Sequence, residues 1–156
     1  MNDINYTSGG IELLDQITPL WIKLNDWHRE HSIHFSHIYQ NRTFDDRKKM
    51  LSDKLANGQI HIDLAEDATS KKLIGYCVTS IDSQNSGEVD SIYVEASYRN
   101  QGIATKLMQR ALAWLDQNNV EQRTICVAAG NETVFPFYEQ FGFYPSNHSL
   151  KYKNSK

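Results

Sequence analysis

Only two cysteines, Cys77 and Cys126, and three prolines occur in the 156 residues. That excludes a small disulfide-stapled secreted scaffold, which needs a denser thiol framework. Both thiols fall in stretches that read as strands, where a free cysteine behaves as a small buried hydrophobe. There is no apolar run near the roughly 20 residues a membrane-spanning helix requires, and no secretory leader pattern at the start. A cytoplasmic protein is therefore expected. Nor is there an excess of basic residues: 16 Lys and Arg against 19 Asp and Glu leave a net charge of −3. Such a chain has no general attraction for nucleic acid or anionic membrane, and its acidity leans towards a cationic substrate. Repeats and low-complexity tracts are absent. What remains is ordinary globular composition, 40% hydrophobic and 22% charged, enough for one core and one domain spanning 1–156.

The pattern along the chain alternates between helical and strand periodicity. Asn2 to Tyr6 reads as a short strand, punctuated by Ser8-Gly9-Gly10 as a helix start. Ile11, Leu14, Ile17, Trp21, Leu24 and His28 recur at helical spacing, predicting an amphipathic helix to Trp27, kinked or restarted at Pro19. Asp45 to Asn57 predicts a second helix, with Asp46, Arg47, Lys48 and Lys49 on its wet side and Gly58 past its end. Between them, His28, His31, His34 and His37 recur every third residue. On a helix, each three-residue step falls about 60° short of a full turn. At most adjacent pairs could then share an ion, and no cysteine or repeated carboxylate completes a metal set. Polar loop residues and substrate contacts are the readings left beside the metal. Gln59 to Glu66 and Lys72 to Ile81 predict an antiparallel pair.

The stretch from Gly87 to Asp116 organises the rest. Val89, Ile92, Tyr93 and Val94 predict a strand, and Ile103, Leu107, Ala111 and Leu115 a helical stripe. Between them lies Arg99-Asn100-Gln101-Gly102-Ile103-Ala104, followed by Thr105. A small-residue turn feeding a helix start offers several unpaired backbone N–H groups and the positive end of the helix dipole, which suits a phosphate. No Gly-Lys-Ser/Thr follows and no Gly-x-Gly-x-x-Gly is present, which excludes a nucleotide P-loop and a dinucleotide fingerprint. Arg123 to Ala129 predicts a buried strand parallel to the first. After it come Asn131, Pro136, Tyr138 and Gly142-Phe143, and Leu150 to Lys153 is a candidate last strand.

Arg99 to Ala104 resembles the pyrophosphate-cradling motif of the GNAT acetyltransferase superfamily. Asn131 to Phe143 is similar to that superfamily's other signature. The resemblance spans Lys72 to Phe143. It implies a single α/β domain with a mixed, twisted central sheet, splayed parallel strands and helices on both faces. It also implies acetyl-CoA as co-substrate with no metal. The reaction it implies is N-acetylation of a primary amine on a small molecule or a protein or peptide, by direct attack. A non-catalytic acyl-CoA-binding or sensing module is the alternative.

Amine acetylation needs a neutral amine, a donor for the carbonyl oxygen and a proton for the departing thiolate. The resemblance assigns the first task to Glu88, with Asp90 as competitor or ordered water instead. A strand bulge is expected to decide whether the two acids share a face. It assigns the third task to Tyr138, and the carbonyl donor to a backbone N–H among Ile92, Tyr93 and Val94. The loop residues Arg99, Asn100, Gln101, Gly102, Ile103, Ala104 and Thr105 would hold the diphosphate, and Asn131 the pantetheine arm. Gln140 stands where relatives often have a basic residue, leaving Lys106 or Arg99 for the coenzyme's 3′-phosphate. Pro136 fits only if its helix starts near Thr133 or Val134. Cys126 as an acetyl carrier is the minor mechanistic alternative, and pairing of the tail across a homodimer stays open.

Overall fold

A computed structural model describes residues 2–154. Five strands lie side by side in chain order: β1 (Ile4–Gly9), β2 (Gln59–Asp67), β3 (Leu73–Ile81), β4 (Gly87–Val94) and β5 (Arg123–Ile125). The first four pair antiparallel, and β5 runs parallel to β4. Parallel pairing needs a crossover, supplied by helix α4 (Ile103–Gln117).

Side-chain alternation sends the two faces of the sheet to two cores. Ile60, Ile62, Leu64, Tyr76 and Val78 bury against α1 (Thr18–His31) and α3 (Phe44–Ala56), with Leu20, Trp21 and Leu51 opposite them. Ala65, Cys77, Val89 and Val94 bury against the α4 stripe of Ile103, Leu107, Met108 and Ala111. Helices therefore cover both faces, as expected. Helix α3 begins with a reciprocal cap: the Thr43 hydroxyl accepts from the Asp46 N–H, and the Asp46 carboxylate accepts from the Thr43 N–H. At the other end the chain must pass close to β3. A Cβ on Gly58 would stand 2.0 Å from the Ile81 carbonyl oxygen.

Several sequence expectations are corrected. Ser8 and Gly9 belong to β1, and a 3₁₀ helix over Ile11–Ile17 precedes α1. The expected restart at Pro19 is present: it sits in the first turn of α1, where its missing N–H is unpaired in any helix. The histidine-rich connection is mostly helical: α1 continues to His31, and α2 (Ser36–Asn41) follows. Strand β5 is only three residues long and partly exposed, and Cys126 lies exposed beyond it. Residues 150–153 form no strand, and Leu150 is 95% exposed. Arg47 turns inward from α3 rather than lying on its wet side. Among the described residues no helix is long and apolar enough to cross a membrane.

Candidate active site

The site begins where the β4–β5 ladder stops. Pairing runs only through Gly87–Arg123, Glu88–Thr124 and Val89–Ile125, while β4 continues five residues further to Val94. Beyond Val89 no strand among the described residues covers that side of β4. The gap opens into a cleft of about 300 Å³ walled by Val89 to Ile92 on one side and Ile125 to Ala128 on the other. Trp21, Asn25, His28, Tyr39, Arg42 and Arg47 close it from the helical layer, and Asn131 and Tyr138 from beyond β5.

The expected bulge is present in β4. Val78 pairs with Ser91 and Thr79 with Val89, so Asp90 is the extra residue. An extra residue shifts the side-chain phase. Val89 faces α4, and so do Ile92 and Val94 after the shift, while Tyr93 packs towards α1 and α3. Ser91 shares that second face, its hydroxyl 2.7 Å from the buried Tyr76 hydroxyl. The bulge thus carries polar groups past Glu88 along the cleft.

Glu88 and Asp90 meet on one cation. The Lys54 ammonium stands 3.2 Å from Glu88 Oε2 and is also hydrogen-bonded to Asp90 Oδ1. Burial and the neighbouring Asp90 raise the Glu88 pKa, against the pull of Lys54. The two acids differ in reach: the Asp90 side chain is 0% exposed and that of Glu88 35%. Burial works against the Lys54 charge, but Asp90 and Glu88 outweigh it and its pKa is raised. Lys54 and Arg47 lie at i+3 and i−4 from the buried Leu51, which sets them on its inward face. That spacing from Leu51 could have found both in the sequence, where Arg47 is instead expected on the wet side and Lys54 is not singled out. Arg47 donates to the Asp90 main-chain oxygen at 2.8 Å.

Helix α5 (Phe135–Glu139) follows a 3₁₀ turn over Glu132–Val134, so Pro136 falls in its first turn, as its missing N–H requires. It seats Tyr138 among Phe137 and Phe141 and in the lining of the cleft. Burial, with a smaller effect of Cys77, pushes the Tyr138 phenol up to about 12. Asn131 makes no side-chain cap. Its Oδ1 instead accepts from Trp27 Nε1 at 3.2 Å, joining α1 to the loop before α5. Cys77 is buried, its thiol pushed up to about 12 by that burial, which makes it inert packing.

Of the residues singled out in the sequence, the cleft brings together Glu88, Asp90, Ile92, Asn131 and Tyr138. It does not include Tyr93, Val94 or Arg99 to Thr105, which lie at and beyond the far end of β4. There Asn100 and Gly102 adopt left-handed backbone, φ +62° and +78°, and Gly102 caps α4 with no side-chain hydrogen bond. A Cβ on Gly102 would meet nothing within 4 Å, and Ile103, Ala104 and Thr105, as the first residues of α4, have no intrahelical acceptor for their N–H groups. Arg99 is held back: its Nε donates to the Val94 oxygen and its guanidinium lies over the Tyr93 ring. Lys106 is exposed in the first turn of α4. Of the four spaced histidines only His28 reaches the cleft. Among the described residues no three His, Cys, Asp or Glu side chains gather to hold a metal ion.

Known proteins share this architecture. The PaiA N-acetyltransferase from Thermoplasma acidophilum, in complex with coenzyme A, superposes with TM-score 0.73 at 18% identity, covering 94% of this chain and 93% of that one. The aminoglycoside 6'-N-acetyltransferase AAC(6')-Ih from Acinetobacter baumannii gives 0.66 at 17% identity, covering 99% of each. A ribosomal-protein-alanine N-acetyltransferase from Brucella melitensis biovar Abortus 2308 gives 0.65 at 16%, covering 96% of this chain and 99% of that one. At such identities the likeness carries the fold alone. No curated protein is significantly similar in sequence. The profile of the acetyltransferase (GNAT) family, however, matches residues 21–143. The chain belongs to the acetyltransferase (GNAT) family.

Proposed function

We propose that the protein is an N-acetyltransferase that moves an acetyl group from acetyl-CoA to a primary amine by direct attack. One observation carries the reading: Glu88 and Tyr138 line one cleft, which opens where the β4–β5 ladder stops. The surroundings fit an extended thioester carrier. The unpaired side of β4 offers main-chain groups for an amide-bearing arm, and the uncapped start of α4 offers N–H groups for a diphosphate. The N–H groups of Asn100 to Thr105 would hold that diphosphate, since the Arg99 N–H is taken by the Ala96 oxygen, and the Asn131 region would border the arm. The bound thioester supplies an activated acyl group.

The residues of the chain do the rest. Glu88, raised and partly exposed, accepts the proton of the incoming ammonium directly or through water. Asp90, its side chain sealed against Lys54, is a positioning residue that fixes Lys54 and through it Glu88. A backbone N–H among Ile92 to Val94 donates to the carbonyl oxygen. The Tyr138 phenol stays protonated across the physiological range and donates to the departing sulfur. Residues 1–156 act as one catalytic domain, and the two free thiols suit a reducing, cytoplasmic setting.

Thiol release from acetyl-CoA across an amine panel tests this. Tyr138→Phe should lower kcat by about 10²-fold, the scale of a lost acid, with coenzyme A affinity kept in calorimetry. Unchanged turnover in Tyr138→Phe rejects the assigned acid. Cys126→Ser should turn over normally, and acetylated Cys126 in quenched protein would replace direct attack by a carrier mechanism.

A further inference from the structure

We propose that the acceptor carries an anionic group, a carboxylate or a phosphate, close to its amine, and that Arg42 and Arg47 recognise it. The proposal rests on the amine-acetylation reading above and names its substrate class. The overall charge of −3 leans the other way, but the cleft has its own balance. Both of its carboxylates, Glu88 and Asp90, are already claimed by Lys54. Its two guanidinium groups are claimed by none: no ion pair among the described residues includes Arg42 or Arg47. A third candidate cation is silent, because burial, with Arg42 and His31 nearby, lowers the His28 pKa to about 4.

Arg47 is the more telling of the pair. Burial disfavours its charge and Arg42 adds like-charge repulsion, and although Asp90 and Glu88 favour the charge, neither pairs with it and the balance leaves its pKa lowered. A partly buried cation without a paired counter-charge gains from an anion that enters with a ligand. Its side chain is fixed by the bond to the Asp90 oxygen and by a weak 3.8 Å contact from Nη1 to the Met50 sulfur, which leaves donors of the fork that a planar or tetrahedral anion can take. Arg42 stands at the mouth, over the Tyr39 ring at 5.0 Å. Because Arg47 is anchored on the strand that carries Glu88, one small molecule can place its amine at the acid and its anion at the arginines. The cleft's volume of about 300 Å³ suits an amino acid or an aminoalkyl phosphate. A polycation such as a polyamine would meet both arginines unfavourably.

The test measures thiol release from acetyl-CoA, and separately equilibrium binding, for matched acceptors. These are proteinogenic amino acids against their C-terminal amides, and 2-aminoethyl phosphate against ethanolamine, with spermidine and neamine as polycations. An anion-bearing member should exceed its matched amine by about 30-fold, as one charge-assisted bidentate contact provides. The gain should lie mainly in KM and in binding, and the responding pair tells carboxylate from phosphate. Arg42 is exposed, so its variants should fold. Arg42→Gln should lose about tenfold of the preference and Arg42→Glu should reverse it. Equal or better binding of both the amide and ethanolamine, or of spermidine, overturns the proposal, as does a preference that survives Arg42→Glu. Coenzyme A calorimetry run alongside separates the two failures. Absent coenzyme binding defeats the acetyl-transfer reading, whereas intact coenzyme binding with no anion preference defeats only this one.

Discussion

Two carboxylates two positions apart in β4 receive opposite environments. Asp90 is sealed against Lys54, and Glu88 keeps a third of its surface in the cleft. A base works only when ionised, so kcat/KM should fall as pH drops through the raised Glu88 pKa. Asp90→Asn removes a like charge and should move this acid limb to lower pH. Lys54→Met removes the compensating cation and should move it to higher pH. Glu88→Gln should lose the limb and about 10²-fold in rate. Opposite shifts of a pH–rate profile are the readout, and identical profiles in all three variants would exclude Glu88 as the base. None of this pairing was legible beforehand. Lys54 stands 34 residues from Glu88 and Arg47 43 from Asp90, so only folding brings them together.

Local signals, by contrast, carried the elements well. Pro19 and Pro136 each marked the first turn of a helix because proline tolerates no other helical position so cheaply. Gly102 marked the start of α4 because its backbone is left-handed. What failed was what depends on pairing partners: β5 looked like a full strand, yet β4 has company for only three residues. The α1–α2 connection looked like loop because its helices bury little of their surface. The two junction glycines should respond differently to alanine. Gly58→Ala drives a Cβ into the Ile81 carbonyl oxygen and should cost about 3 kcal/mol or more, the scale of severe core strain. Gly102→Ala meets open space and should cost only about 1 kcal/mol for its positive φ. Chemical denaturation checks both. Gly102→Ala should also weaken coenzyme A binding, since its methyl would crowd the approach to the α4 amides.

For the molecule as a whole, acid is the expected weak side. His28 is held neutral in the fold, its pKa lowered by burial to about 4 from 6.5. A depressed folded pKa means stability that is complete above about pH 6.5 and lost as pH falls towards 4. Between pH 7 and pH 5 this group alone should remove about 1–2 kcal/mol, and His28→Gln should flatten that slope in urea titrations. Below that range Asp63 adds a second loss. Its burial opposes ionisation, but His61, Ser8 and Arg110 together lower its pKa, so protonating it loosens α4 from β2. The Trp27 indole donates to Asn131, a residue of the cleft lining. It also stacks on His31, with ring centroids 3.7 Å apart, while Trp21 lines the cleft itself and Trp114 stacks on His61 at the opposite face. Two of the three tryptophans therefore lie at or beside the cleft, and their emission can follow a ligand's arrival with no dye attached.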